Sequence, residues 1–274
     1  MEMEKNETIV AGSRKKLGGL NAPITVVILI LISMAIFYGL FGQASNFEGG
    51  DPYAGNPKNF MGIIFKGGVI IPFLMSFFLM DFVFAIDRAF ALKKASGKGN
   101  LSNFVHEVKG LLGANKINEA IELCDAQEGS VGNVVKEGLT TYKALANDNS
   151  IDKEQKMYAL TKALEEATTL EMPALEKNTS IIATIATVGT LIALMGTVIG
   201  MIKAFFALGE GGGTPDAAKL SVGIAEALIN TGTGIGASAL AIIFYNMITN
   251  KIDDLTFKID EVGMAIQQAF AKHH

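Results

Sequence analysis

The sequence is poor in the residues that build disulfides, metal centres and catalytic triads. Its 274 residues include one cysteine, Cys124, three histidines and no tryptophan. A single cysteine excludes an intrachain disulfide and a metal site built on thiolates. His106, His273 and His274 have no ligand spacing, and the last two resemble the remnant of a purification tag. We therefore expect no enzyme activity, no metal and no cofactor.

Charged residues are also scarce. They make up 18% of the chain, whereas hydrophobic residues make up 50% and the net charge is −4. Soluble domains usually carry about 25% charged residues. The chain has no basic cluster interleaved with aromatic residues, so we exclude a nucleic-acid partner and predict a membrane protein.

Three uncharged runs are long enough to cross a bilayer, because each exceeds the roughly 20 residues that a membrane helix needs. They are Leu17–Phe47, Asn178–Ile202 and Ala227–Asn250. A fourth candidate, around Gly62–Ile86, is interrupted by Asp81. The first run follows basic residues as a signal peptide does, but it is long and no clear cleavage site follows it. We interpret it as a retained span and predict four transmembrane helices.

Lysine and arginine concentrate at one end of each predicted span, which places both termini in the cytoplasm by the positive-inside rule. We predict an all-α protein of the inner membrane with four transmembrane helices: an extra helix 1 (22–42), helix 2 (62–86), helix 3 (179–208) and helix 4 (221–248). The cytoplasmic segments are the N-terminus (1–21), a helical domain (87–178) and a C-terminal helix (249–274). The periplasmic segments are two loops (43–61 and 209–220).

Two patterns describe the cytoplasmic parts. The helix that starts near Lys153 is expected to run into transmembrane helix 3, with a kink at Pro173.

The C-terminal tail carries a heptad seam, which needs a partner helix to bury it. That partner is either the chain's own cytoplasmic helices or a neighbouring subunit. The seam consists of Ile248, Ile252, Leu255, Ile259, Val262, Ile266 and Ala269.

Transmembrane helix 3 contains threonines and glycines at helical spacing. The threonines either bond their own backbone carbonyls one turn back or line a polar passage. The glycines permit close helix packing, and two of them form a GxxxG spacing. The threonines are Thr184, Thr187, Thr190 and Thr197; the packing glycines are Gly189, Gly196 and Gly200, joined by Gly232 and Gly236 on transmembrane helix 4.

Transmembrane helix 4 carries polar groups that cost more free energy to bury in a bilayer than the threonines of helix 3. Glu226, Asn230 and Thr233 recur at i, i+4 and i+7 and form one stripe, with Thr231 on its flank. A charged side chain near the centre of a membrane helix costs at least ~2.5 kcal/mol, so it normally faces protein or water. Glu226 either pairs with Lys219 or Lys203 at the interface, or lines a polar passage. Asn230 and Thr231 lie deeper and favour the passage.

Asp81 is the other intramembrane carboxylate. It lies 15–19 residues into transmembrane helix 2, close to the cytoplasmic surface at ~1.5 Å per residue. We weigh an interfacial or helix-pairing role for it against proton carriage and favour the former.

Two stretches resemble a known family. ATIATVGTLIALMGTVIG (residues 183–200) resembles the second conserved span of the ExbB/TolQ proton channels, and GIAEALINTGTGIGASALAIIFYN (residues 223–246) resembles their final span. The resemblance is close over about 50 residues and looser over the cytoplasmic domain. It implies a homopentamer around an ExbD-like dimer of single-span subunits, which uses the proton motive force to energise a TonB-like protein for outer-membrane import.

Carried over by position, the pore-facing threonines of the family fall on Thr184 and Thr231, and the pore glutamate falls on Glu226. The sequence departs from the family pattern in its extra first span, in Thr190 where a proline is common, and in Asn230 where a small apolar residue is common. Additional pore-lining candidates are Thr187, Asn230, Thr233 and Thr197.

Threonine hydroxyls order water but do not titrate at accessible pH. Since transmembrane helices 3 and 4 carry no carboxylate at mid-membrane, the residues imply that the proton carrier lies on a partner subunit, and the resemblance implies an aspartate of the ExbD-like helix. A TolQ-like role in envelope constriction, a MotA-like flagellar stator and a purely structural membrane scaffold remain as alternatives. Membrane lipids are expected to surround the assembly.

Overall fold

A computed structural model describes residues 20–148, 150–209 and 217–273, with the side chain of residue 218 excluded. The described residues are helical, apart from short turns and a single β-bridge between Phe47 and Pro57. The α-helices are α1 (Ala22–Ile36), α2 (Phe60–Phe65), α3 (Ile71–Ala95), α4 (Leu101–Gly113), α5 (Ile117–Gln127), α6 (Gly129–Asn147), α7 (Lys153–Glu176), α8 (Thr179–Gly209) and α9 (Ala217–His273). The all-α prediction is confirmed for this part of the chain.

In the part of the chain that the structure describes, four helical stretches are long and apolar enough to cross a membrane: Ala22–Phe41, Gly68–Ala95, Thr179–Gly209 and Lys219–His273. The prediction of four membrane helices is therefore confirmed by length and composition. The chain divides into two compact units. The membrane unit comprises residues 20–88 and 178–249, and the helical unit comprises residues 89–177 and 250–273 among those described.

The second span begins later in the structure than the sequence pattern suggested. Gly62 lies in the short helix α2, and α3 begins only at Ile71 and continues to Ala95. The interruption falls at Gly67–Gly68, where Gly68 has a φ of +78°. Residues with a side chain rarely adopt this conformation, so glycine breaks the helix here.

The expected continuation of α7 into the third span is wrong. Helix α7 passes through Pro173 and ends at Glu176, and α8 starts at Thr179. The break lies at Lys177, which has a non-helical ψ of 135°, and Asn178, which has a φ of +61°. Asparagine tolerates the left-handed region better than most residues, which explains why the chain turns here.

The fourth span and the C-terminal tail form one unbroken helix. Helix α9 runs for 57 residues, so the boundary between residues 248 and 249 is no structural break. Within the helical unit its heptad seam is buried, with Leu255, Val262 and Ile266 at 0% exposure. The reading in which the chain's own helices cover the seam is therefore confirmed.

In the membrane unit, an aromatic cluster packs the segment between α1 and α3. The rings of Phe37 and Phe65 stack with centroids 4.8 Å apart, and Phe47 packs edge-on against Phe65. In the same unit, the Ser33 hydroxyl of α1 donates a hydrogen bond of 2.5 Å to the carbonyl oxygen of Pro72 in α3. Helix α1 thus packs one side on α3, whereas its Ile24 and Leu31 are more than half exposed.

Candidate functional site

Helices α8 and α9 approach each other through small residues. A Cβ atom on Gly196 would lie 2.7 Å from Cβ of Asn230, and one on Gly200 would lie 2.8 Å from the backbone nitrogen of Ala227. Such distances leave no room for a methyl group, so glycine permits the approach. A Cβ on Gly189 would likewise lie 2.6 Å from the Ser238 hydroxyl.

The two glycines singled out on the fourth span differ. A Cβ on Gly236 would lie 3.1 Å from the ring of Phe78 on α3, so this glycine adjoins another helix. A Cβ on Gly232 would meet no atom within 4 Å. The predicted packing role of Gly232 is therefore not met within one protomer.

Glu226 forms an ion pair with Lys203. The Lys203 ammonium donates to both carboxylate oxygens, at 2.6 and 2.9 Å. The Glu226 side chain is 9% exposed, whereas that of Lys203 is 54% exposed. A Cβ on Gly68 would contact the same carboxylate, so the turn before α3 closes over Glu226. The acid is thus held near the end of α8 by the Lys203 ammonium and covered by backbone.

Thr231 and Thr197 lie side by side. Their hydroxyl groups form a short hydrogen bond with each other across α8 and α9. Each hydroxyl also lies 3.1 Å from a backbone carbonyl one turn back, Ala193 for Thr197 and Ala227 for Thr231. The pair places two hydroxyl groups in the contact between α8 and α9.

Thr184 and Thr187 occupy a different face of α8. Both are exposed in the protomer, and the Thr184 hydroxyl donates to the carbonyl oxygen of Ser180 at 2.7 Å. Thr184 lies 13 residues from Thr197, about 20 Å along the helix at 1.5 Å per residue. The structure therefore separates Thr184 from the Thr197–Thr231 pair. Thr233 also bonds one turn back, to the carbonyl of Ile229 at 2.8 Å.

Asn230 and Ser238 continue the polar groups along the buried side of α9. Asn230 is 0% exposed, and neither amide atom has a hydrogen-bond partner among the described residues. Further along, the Thr190 hydroxyl donates to Oγ of Ser238 at 2.9 Å. Sequence reasoning missed Ser238, although its spacing of eight residues from Asn230 places it on the same side of a helix.

Asp81 lies in the interior of the membrane unit. It is 0% exposed, and neither carboxylate oxygen has a hydrogen-bond partner in the described part of the chain. The Asp81 side chain therefore faces packed protein, and the favoured interfacial or helix-pairing role stays a prediction. Farther along α3, Asp87 and Arg88 pair with each other at 2.7 Å, and a second oxygen of Asp87 accepts from the Leu20 backbone at 3.2 Å.

Among residues 20–148, 150–209 and 217–273, no group of three or more metal-ligating side chains comes together. Cys124 lies in the helical unit, where burial and the neighbouring Asp125 carboxylate raise its pKa to about 12. A buried neutral thiol is a poor nucleophile.

Residues 127–261 match the family model described as the MotA/TolQ/ExbB proton channel family. The chain is 28% identical over 225 residues to the Tol-Pal system protein TolQ of Haemophilus influenzae, covering 78% of this chain and 96% of that protein. It is 26% identical over 209 residues to the biopolymer transport protein ExbB-like 3 of a Synechocystis strain, covering 76% and 93%.

The biopolymer transport protein ExbB of Pseudomonas putida is 26% identical over 160 residues, which is 58% of this chain and 48% of that protein. The matched region contains α8, most of α9 and the polar groups that these helices carry. With four apolar helices, the chain is embedded in a membrane, and it belongs to the MotA/TolQ/ExbB proton channel family.

Proposed function

We propose that this chain is an ExbB-like subunit of an inner-membrane motor that uses proton flow to energise a TonB-like protein. A proton that crosses the membrane under ~100 mV releases about 2.3 kcal/mol. In this proposal, copies of the chain, five by analogy with the family, surround an ExbD-like helix. Both termini lie in the cytoplasm.

The observation that carries the proposal is the exposed hydroxyl face of α8. Thr184 and Thr187 lie on the surface of the protomer, on a helix without a titratable group from Asn178 to Ile202. Hydroxyls alone do not carry a proton, so this face needs an acid from another helix. The aspartate of an ExbD-like helix meets this requirement.

Thr231 and Glu226 fit the same scheme at other levels of the membrane. The Thr197–Thr231 pair offers hydroxyls between α8 and α9, and Glu226 has a carboxylate poised beside Lys203. We propose that Thr184, with Thr187, and Thr231 hold water at two levels of the passage, and that this water hydrates or shields the partner's aspartate as its helix turns. Glu226 then guides protons at the periplasmic side.

The central test replaces Thr184 and Thr231 together by valine. We expect proton flux, measured in vesicles that contain the complex with its ExbD-like partner, to fall to the level of empty vesicles. Membrane-helix hydrogen bonds contribute only ~0.6 kcal/mol on average, so assembly should survive.

Thr169→Val is the matched control. Its hydroxyl bonds the Glu165 carbonyl at 2.8 Å in the helical unit, outside the spans. This variant should conduct normally. Full proton flux in the Thr184/Thr231 double variant would refute the proposed roles of these hydroxyls.

A TolQ-like role is the second candidate, because the alignment with the Haemophilus protein spans 96% of its length. Deleting the gene separates the two. An ExbB-like role predicts loss of TonB-dependent uptake with an intact envelope. A TolQ-like role predicts chaining cells and a leaky outer membrane with normal uptake.

A further inference from the structure

The pathway proposed above leaves Asp81 without a role. This residue is 0% exposed on α3, and both of its carboxylate oxygens lack a hydrogen-bond partner among the described residues. A buried, unpartnered acid within a membrane helix is expensive, and such residues mark ion or proton pathways by default.

The free energies favour a proton on Asp81. Moving an isolated carboxylate into an apolar medium costs far more free energy than leaving one hydrogen bond of a neutral polar group unmade. A neutral carboxyl is therefore compatible with the packing around Asp81, and an anion is not.

The charges on neighbouring elements do not change this comparison. Among the described helices, α1 contacts α3 through Ser33 and Pro72, α8 through Gly189 and Phe77, and α9 through Phe82 and Phe244.

No lysine, arginine, aspartate or glutamate occurs in α1, between residues 178 and 202, or between residues 227 and 250. Within the membrane unit, the titratable groups on these elements and on α3, apart from Asp81 itself, are the Lys203–Glu226 pair, the Asp87–Arg88 pair, Lys219 and Tyr245. Asp81 forms no hydrogen bond with any of them.

A line of polar side chains leads from Glu226 toward Asp81. On α9, Asn230 and Ser238 follow Glu226 by four and twelve residues, roughly 6 and 18 Å at 1.5 Å per residue. Thr190 reaches the line from α8 through its bond to Ser238. Asn230 and Ser238 are buried, so this line lies inside the protomer and is separate from the exposed face of Thr184.

Asp81 lies one turn beyond the end of the line. A Cβ on Gly189 would lie 2.6 Å from the Ser238 hydroxyl and 3.6 Å from the Phe77 ring, so Ser238 and Phe77 lie at about the same level of the helices. Asp81 follows Phe77 by four residues, about 6 Å along the same side of α3.

We propose that Asp81 is a second proton-binding site, carried by this chain and reached from Glu226 along the buried polar line. This inference rests on the proposed function. While α3 is packed on α8 and α9, the carboxyl keeps its proton. When these helices separate and water enters, the O–H bond breaks, the proton passes to water and a carboxylate remains. A proton from the Glu226 side then restores the acid.

The first test measures proton flux through the complex with its partner in vesicles. Asp81→Asn keeps a polar side chain of the same shape but binds no proton, and we expect flux to fall at least about tenfold. Asp51→Asn is the matched control, because Asp51 is exposed in the loop before α2. The control should conduct normally.

The second test records the infrared spectrum of the complex and does not depend on flux. We expect the C=O band of a protonated carboxyl in the wild type, absent in Asp81→Asn and shifted in Asp81→Glu. If Asp81→Asn does not assemble, the shift in Asp81→Glu decides the assignment. A band that is absent from the wild type, or unchanged in Asp81→Glu, overturns the proposal.

The outcomes separate the two proposals. Normal flux in Asp81→Asn, together with lost flux in the Thr184/Thr231 variant, overturns the role of Asp81 and leaves the proposed function intact. A wild-type complex that conducts no protons overturns the proposed function, and the infrared band still tests whether Asp81 binds a proton.

Discussion

Lys203 and Glu226 are unequal partners, because the acid is nearly buried while the base is half exposed. Replacing Lys203 by methionine removes the ammonium group that pairs with a covered carboxylate, and we expect a loss of about 1–2 kcal/mol in unfolding free energy. Replacing Glu226 by glutamine in the same chain should recover most of it. Thermal unfolding in detergent measures both. A double variant less stable than the single one would contradict the arrangement.

The reactivity of the Cys124 thiol tests whether the helical unit is folded. Burial raises the pKa of this thiol from 9.0 to about 12. At pH 8 the thiolate fraction in the folded protein should therefore be on the order of 1,000-fold lower than in the unfolded chain. The alkylation rate should fall by the same factor, because the thiolate is the reactive form. The folded state binds this proton more tightly. Its contribution to stability is therefore complete below pH 9 and is lost as pH rises from 9 toward 12. Rapid maleimide labelling of the native protein would contradict this burial.

At the scale of elements, the α8–α9 contact depends on glycine where the backbones approach. A methyl group on Gly200 would meet the backbone of Ala227, which has no flexible end to move aside. We expect Gly200→Ala to destabilise the protein by about 1–3 kcal/mol. Chemical denaturation in mild detergent is the measurement.

Gly232→Ala is the matched control on the same helix pair. Its Cβ enters open space within the protomer, and alanine is the better helix former by up to about 1 kcal/mol. Isolated protomers should therefore be unchanged or slightly more stable. Equal losses in both variants would mean that the glycines matter for helix propensity rather than for close approach.

At the scale of the whole molecule, one helix serves both compact units. Helix α9 contributes residues 217–249 to the membrane unit and residues 250–273 to the helical unit. In the helical unit, Glu261 of this helix accepts from Lys109 of α4 at 2.6 Å. The C-terminal part of α9 is therefore a core element of the helical unit.

Replacing a buried side chain of the heptad seam by a smaller one should make the helical unit unfold before the membrane unit. Leu255 is 0% exposed, so Leu255→Ala is expected to cost about 2–5 kcal/mol. Met264 is 55% exposed on the same helix, and Met264→Ala should cost much less in the protomer. Labelling of Cys124 during denaturation reports the helical unit. Equal sensitivity of the two variants would contradict the buried seam.

Residue patterns alone predicted the helical class, the four apolar spans and the heptad seam, because each is a local regularity of hydrophobicity. They also selected Glu226 and Thr231, since polar groups in an apolar helix are conspicuous. The break at Lys177–Asn178 escaped prediction because Pro173 looked like the stronger signal. The start of α3 at Ile71 also escaped prediction, because it depends on the positive φ of Gly68. Amino-acid composition does not specify a backbone angle.

The sequence by itself determined which segments are helical and which of them enter the membrane, because helix period and hydropathy are properties of neighbouring residues. Only the tertiary structure decided which polar groups meet. It paired Glu226 with Lys203 and Thr231 with Thr197, turned Thr184 to the protomer surface, and buried Asp81 without a partner. These choices depend on how helices distant in the chain pack and rotate against one another, and no local pattern encodes that.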